Sequence, residues 1–211
     1  MTHRLHLDGI RIALGDVPLV AVDAEVGPGE VLTVMGPSGS GKSTLLAFLA
    51  GFLDPAFRAT GRVLLDGEDV TGEPAERRGI GLLFQDPLLF PHLSVGGNLL
   101  FGMPAGADRR GRMRAALAEA GLDGFADRDP ATLSGGQRAR VALLRLLLSQ
   151  PRAVLLDEPF ARLDAPLRRE IRDLTFARLR AAGLPAVLVT HDEADRPTWG
   201  GTAVHVGAEG G

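Results

Sequence analysis

Apolar residues fall into two periodicities along the chain, and the order in which these alternate sets the expected fold. Leu5-His6-Leu7 and Ile10-Arg11-Ile12 alternate apolar with polar, and Leu19-Val20-Ala21-Val22 follows after Gly15 and Pro18, which predicts short antiparallel strands. Gly61-Arg62-Val63-Leu64-Leu65 adds another strand, ending at a tight turn at Asp66-Gly67. Val31 to Met35, Ile80 to Phe84, Ala153 to Leu156 and Ala186 to Val189 are continuous apolar runs. Such runs suit strands buried on both faces, and Thr202 to Val206 reads as a last short one. Helical stretches lie between them: Leu45 to Ala50, Val95 to Phe101, Arg112 to Ala120, Ser134 to Ser149 and about Ala165 to Arg180. In the fourth of these, Val141, Leu144 and Leu148 share one stripe, and Pro151 closes it.

This pattern predicts an α/β fold with a mostly parallel sheet, an N-terminal antiparallel β subdomain and an inserted helical subdomain. One domain over 1–211 is expected, with 1–86 and 133–211 as the core and 87–132 as the helical insert. The Gly207 to Gly211 tail reads as frayed.

Composition narrows the function. A chain that is 45% hydrophobic can bury a core, and the absence of cysteine excludes disulfides and thiolate metal sites. The N-terminus lacks the apolar stretch of a signal peptide, and Val141 to Leu148 is short and interrupted by Arg145, so a cytoplasmic chain is expected, reaching the membrane only through a partner. A net charge of −3 argues against general nucleic-acid binding. The basic run Arg109 to Arg114 has no interleaved aromatic residue and reads as a solvated helix face.

Gly36-Pro37-Ser38-Gly39-Ser40-Gly41-Lys42-Ser43-Thr44 sits between the strand Val31 to Met35 and the helix at Leu45. Glycines there let consecutive N–H groups converge, and the helix adds its positive N-terminal end, which makes a cradle for polyphosphate. Lys42 can reach the β- and γ-phosphates, and the Ser43 hydroxyl can ligate the magnesium that bridges them. Of the 23 Lys and Arg residues, Lys42 is the single lysine. A chain that otherwise uses arginine has kept a compact ammonium where short bonds must converge on phosphate oxygens. Asp157-Glu158 ends another buried strand, where ligands bind in open α/β sheets. Asp157 can hold magnesium, and Glu158 is then free to orient the attacking water.

With loop and carboxylates in place, the remaining motifs make the sequence resemble the ATP-binding cassette (ABC) ATPases, the motor subunits of ABC transporters. Leu133-Ser134-Gly135-Gly136-Gln137 is similar to the family's signature, Gln85 to its Q-loop glutamine, Leu163-Asp164 to its D-loop and His191 to its switch histidine, all in family order. The resemblance implies that two copies pair head to tail on ATP. Each nucleotide site would then combine Lys42, Ser43, Gln85, Asp157, Glu158 and His191 with Ser134 to Gln137 of the opposite copy, with Gln85 joining Ser43 and Asp157 around Mg2+. It also implies a transmembrane permease as partner, a solute-binding protein, and a place on the inner face of the cell membrane.

Within the family, Leu82 to Asp86, Leu89 to Val95 and Leu133 to Leu143 resemble bacterial importer ATPases of thiamine, polyamine and ferric-iron type, without selecting a substrate. The rival reading is an ABC ATPase that acts as a switch or scaffold, as in cell-division relatives. Ala161 stands where the D-loop usually has serine, and the regulatory domain of many sugar and polyamine importer ATPases is not expected. Leu14 occupies the position of the aromatic residue on which the family usually stacks adenine, so weak base discrimination is expected unless another side chain such as His6, or one from the partner subunit, covers the base.

Overall fold

The computed structural model describes residues 2–199 and 201–207, so 208–211 of the tail lie outside the described residues. The chain divides into two compact units. One comprises Met1–Leu82, Arg152–Glu158 and Phe176–Gly211; the other comprises Leu83–Pro151 and Pro159–Thr175.

The first unit carries two sheets. β1 (Leu5–Leu14) and β2 (Val17–Val26) form an antiparallel hairpin, with β4 (Phe57–Leu65) and the short β5 (Glu68–Asp69) completing the order β2-β1-β4-β5. The expected pair of short strands at Leu5 to Leu7 and Ile10 to Ile12 is one ten-residue strand with a register shift between Leu7 and Ile10. The bulge explains the difference. An extra residue at Asp8-Gly9 flips the side-chain phase, so Leu5, Leu7, Ile10 and Ile12 all face the core although their spacing is not strictly two. Gly9 N donates to Asp23 Oδ2 at 3.0 Å, which satisfies the group that the bulge releases. β4 starts four residues earlier than its apolar pattern suggests, because Phe57 to Thr60 pair with Leu14 to Arg11.

The second sheet has the order β6-β7-β8-β3-β9, from β3 (Val31–Met35), β6 (Ile80–Leu83), β7 (Ala153–Asp157), β8 (Ala186–Thr190) and β9 (Ala203–His205). β7, β8, β3 and β9 run parallel. Every residue of β3 and β8 is buried, as continuous apolar runs require. The helix α1 (Lys42–Ala50) follows β3, and its Leu45, Leu46 and Leu49 pack in one cluster with Val34, Leu155, Val187 and the inward face of the first sheet.

The second unit is helical. α2 (Val95–Gly102), α3 (Arg109–Glu119) and α4 (Gly135–Leu148) bury Val95, Leu99, Met113, Leu117, Val141 and Leu144 together. Asn98 is fully buried and grips the preceding segment, accepting from Phe90 N and donating to the carbonyls of Phe90, Leu93 and Ser94. α5 (Ala165–Ala181) begins in this unit and ends in the first.

Candidate nucleotide site

In the parallel sheet, Met35 pairs with Thr190 and Asp157 with Val189, so β7, β8 and β3 end side by side at one edge. Neighbouring strands lie about 4.8 Å apart, so three chain reversals emerge within about 10 Å. They carry the loop after β3, the Asp157-Glu158 pair and Thr190-His191. The first unit therefore brings Gly36 to Thr44, Asp157, Glu158 and His191 to one edge.

The loop after β3 is tightly built. A Cβ on Gly36 would stand 2.4 Å from the Val206 carbonyl oxygen and 2.7 Å from Ser40 Oγ, so only glycine fits there. Gly41 opens α1 in a left-handed conformation without a side-chain cap, which leaves the first-turn N–H groups of the helix to a ligand. Lys42 is 6% exposed, and its ammonium donates to Gly36 O at 2.8 Å and Pro37 O at 2.7 Å. Three donors with two used leave one for a phosphate oxygen. Ser40 Oγ is buried with no partner, and Pro37, Ser38 and Gly39 stand exposed around it. Thr44 lies half-buried in the first turn beside the exposed Ser43.

Across the edge, burial pushes the Asp157 carboxyl above the ordinary carboxylate range, the adjacent Glu158 charge pushes the same way, and the Lys42 ammonium opposes both. A dication would relieve that strain. Among the described residues no cluster of three or more His, Asp or Glu forms a self-sufficient cage. The hydroxyl of Ser43 and the carboxylate of Asp157 are hard oxygen donors of the type magnesium takes alongside nucleotide phosphates, so they fit that ion as shared ligands.

Glu158 has φ of +44°, a left-handed conformation that costs a non-glycine residue energy, and Glu158 N donating to Val189 O at 3.0 Å fixes it. The conformation turns the carboxylate toward His191, whose Nδ1 lies 3.0 Å from Glu158 Oε1. A carboxylate in its charged form only accepts, so this contact is a hydrogen bond in the tautomer that carries its proton on Nδ1. Below His191, the Thr190 hydroxyl donates to the fully buried Asp195 at 2.8 Å and accepts from Asp192 N. Nothing in the local sequence pattern singles out Asp195.

Leu14 ends β1 opposite Val17, and both are exposed, at 47% and 61%. A Cβ on Gly41 would meet Val20 at 2.8 Å and Leu19 at 3.3 Å, so β2 runs against the start of α1. The hairpin tip lies three residues beyond that contact, about 10 Å along the strand. Sequence reasoning missed Val17, the more exposed of the pair.

The remaining candidates lie in the second unit. Ser134 caps α4 reciprocally with Gln137: Gln137 N donates to Ser134 Oγ at 3.2 Å and Ser134 N donates to Gln137 Oε1 at 2.9 Å. Gly136 packs where a Cβ would meet Leu167 at 2.6 Å, whereas one on Gly135 would meet nothing. Asp164 accepts from Leu167 N at 3.0 Å at the start of α5. Gln85 is exposed and lines a cavity of about 440 Å³ with Gly135, Arg138, Arg162 and Leu163. Arg162 pairs there with Asp86 at 2.8 Å, and Ala161 beside it is half-buried.

The family described as "ABC transporter" matches residues 19–161. The chain is similar to YnjD of Escherichia coli K12, described as an uncharacterized ABC transporter ATP-binding protein, with 51% identity over 85% of this chain and 84% of that one. It is similar to the Fe(3+) ions import ATP-binding protein FbpC of Mesorhizobium japonicum, with 46% identity over 90% of this chain, and spans about half (54%) of that longer relative. Among solved structures, cbiO1 of Clostridium perfringens, part of the ABC transporter complex cbiONQ, superposes with a TM-score of 0.76 at 32% identity over 89% of this chain and 78% of that one.

Proposed function

Because the chain belongs to the ABC transporter family and is an ATP-binding ATPase, we propose that it is the nucleotide-binding subunit of a bacterial importer, a single cassette that closes head to tail with a second copy on ATP and opens on hydrolysis. Likeness to an iron-import ATPase over 90% of the chain supports the importer assignment, without extending that relative's substrate to this one.

The observation that carries the chemistry is the alignment of three strand ends, with Lys42, Glu158 and His191 emerging together. Lys42 and the N–H groups of Gly36 to Thr44 hold the phosphates. Ser43 and Asp157, joined by Gln85, are the oxygen donors we assign to Mg2+, which when bound neutralises charge on the β- and γ-phosphates. Glu158 accepts the proton of the attacking water, and His191 holds its carboxylate in place. Ser134, Gly135, Gly136 and Gln137 face the γ-phosphate held by the other copy, with Asp164 beside the dimer seam.

Among the described residues no helix is long and apolar enough to cross a membrane. The proposed partner is therefore a polytopic permease at the inner face of the membrane, fed by a solute-binding protein. Its cytoplasmic helix would dock on the helical lobe near Gln85, where Leu88 and Phe101 are exposed at 51% and 67%. Affinity purification from membranes, with cross-linking, tests this. Recovery of a polytopic membrane protein linked through residues 87–132 is expected. A membrane complex without a solute-binding protein and without solute uptake would overturn the importer assignment.

A further inference from the structure

Arg78 is the most deeply buried arginine among the described residues, at 5% exposure, and its guanidinium is spent entirely on main-chain carbonyls. Nη1 donates to Phe48 O at 2.7 Å and Leu49 O at 3.0 Å, Nε to Glu73 O at 2.8 Å, and Nη2 to Thr71 O. None of these acceptors is a carboxylate. Phe48 and Leu49 belong to the last turn of α1, the nine-residue helix whose first turn carries Lys42 and Ser43. A helix ends with carbonyls that lack intrahelical partners and with partial negative charge, and a fixed cation there satisfies both. The space is reserved for the guanidinium: a Cβ on Gly51, the residue that stops α1, would stand 2.6 Å from Arg78 Nε. On its other side Arg78 closes a short 3-10 turn (Ala75–Arg77), and Gly79 then leads directly into β6. Gly79 O accepts from Arg152 N at 2.7 Å, which ties that point to the start of β7, the strand that ends in Asp157.

We propose that Arg78 is a positioning residue for ATP hydrolysis: it pins the trailing end of the phosphate-loop helix to the Thr71–Glu73 segment and the root of β6, and so fixes where Lys42 and Ser43 stand along the helix axis. Leu45, Leu46 and Leu49 pack α1 into the core, and Gly51 N caps its end locally. Its first turn carries no side-chain cap, however, and the Arg78 fork ties its last turn to a segment distant in sequence. Lysine cannot substitute fully. It has three donors from one atom, whereas the four carbonyls approach a planar fork from two sides. Loss of the fork lets α1 slide or fray from its end, and the phosphate contacts at the other end lose registry.

The inference rests on the reading that Gly36 to Thr44 binds the triphosphate, and Lys42→Ala is the control for that reading. ATP affinity by titration calorimetry, kcat and KM for ATP, and Tm are measured for wild type, Arg78→Gln, Arg78→Lys and Leu7→Ala, a core variant of the same unit that serves as the stability control. All assays run well below the lowest Tm. Arg78→Gln is expected to raise the Kd and KM for ATP about tenfold with a smaller fall in kcat, Arg78→Lys to restore part of the loss, and Leu7→Ala to leave Kd and KM within about twofold despite its lower Tm. Wild-type Kd and KM in both Arg78 variants, with ATP binding lost in Lys42→Ala, would overturn the clamp while sparing the phosphate-loop reading. Unchanged affinity in Lys42→Ala would instead strike that reading. Should neither Arg78 variant fold, hydrogen exchange of the wild type decides. ATP is expected to slow exchange at Gly51 and Phe52 together with residues 70–78, and protection confined to 36–46 would overturn the proposal.

Discussion

Replacing Glu158 by glutamine separates ATP binding from ATP turnover, because the structure ties the carboxylate to chemistry and hardly to stability. The amide is nearly isosteric, and its Oε1 still accepts from His191 Nδ1 across the 3.0 Å gap. The main-chain bond from residue 158 N to Val189 O is untouched, and glutamine meets the same cost at φ of +44°. Exchanging a charge-assisted bond for a neutral one at a side chain 24% exposed costs under about 1 kcal/mol of stability. Turnover responds differently. Removing a positioned general base costs about 10²–10⁴ in kcat, roughly 3–5 kcal/mol in the barrier. Binding of MgATP is spared, since Lys42 and the loop are unchanged. Asp157 also loses the neighbouring charge that, after burial, pushes its carboxyl upward, so the variant does not weaken it as an oxygen donor. Single-turnover phosphate release, calorimetry with MgATP and light scattering measure the three arms. Expected are loss of hydrolysis, undiminished affinity and an accumulating ATP-bound dimer. Hydrolysis within about threefold of wild type would refute the role given to Glu158.

What the sequence made legible was local or periodic. Buried parallel strands show as uninterrupted apolar runs, the α4 cap shows as serine three residues before glutamine, and the phosphate loop shows as glycines around a lone lysine. Misreadings arose where pairing partners decide. Gly9 looked like the end of a strand, but Val22 and Ala24 on β2 carry β1 past it as a bulge. Phe57 to Thr60 look like a loop until they meet Leu14 to Arg11. At the site, residue identity was readable and geometry was not. Nothing in Asp157-Glu158-Pro159 announces a left-handed Glu158, whose conformation depends on Val189 of the neighbouring strand β8, distant in sequence. The Thr190–Asp195 bond and the Arg78 fork are equally hidden, since their acceptors are set by how distant segments fold back.

Three further tests bear on separate parts of the chain. Lys42→Ala should raise the Kd for ATP about 10–100-fold, as expected for a lost hydrogen bond from a charged group at about 1.5–3 kcal/mol; unchanged affinity by calorimetry would count against the phosphate loop. Burial alone would raise the pKa of Asp66, but hydrogen bonds from Arg4 N, His3 and Arg152 outweigh it and leave the carboxyl below its ordinary range. A depressed folded pKa gives stability that is present above the unfolded value, about 3.9, and lost as pH falls through the folded one. Asp66→Asn, which tolerates the φ of +55° there, should lower Tm by about 2–4 °C at pH 7 for a loss of about 1 kcal/mol, and the gap should begin to shrink near pH 4 and close as the pH falls through the lower folded value; a gap independent of pH would refute the pairing. The last test concerns the base. Leu14 and Val17 present an aliphatic pair at the hairpin tip, and the chain has no tyrosine to stack on adenine. Stacking on an aromatic ring contributes about 1–3 kcal/mol in nucleic-acid complexes, of which an aliphatic contact forfeits only part, so Leu14→Tyr should tighten ATP binding by up to about tenfold. The wild type should hydrolyse GTP within several-fold of ATP, because the triphosphate grip supplies most of its affinity. Parallel ATP and GTP titrations of both proteins decide the matter, and a strong preference for ATP in the wild type with no gain in the variant would place the base elsewhere than at this hairpin.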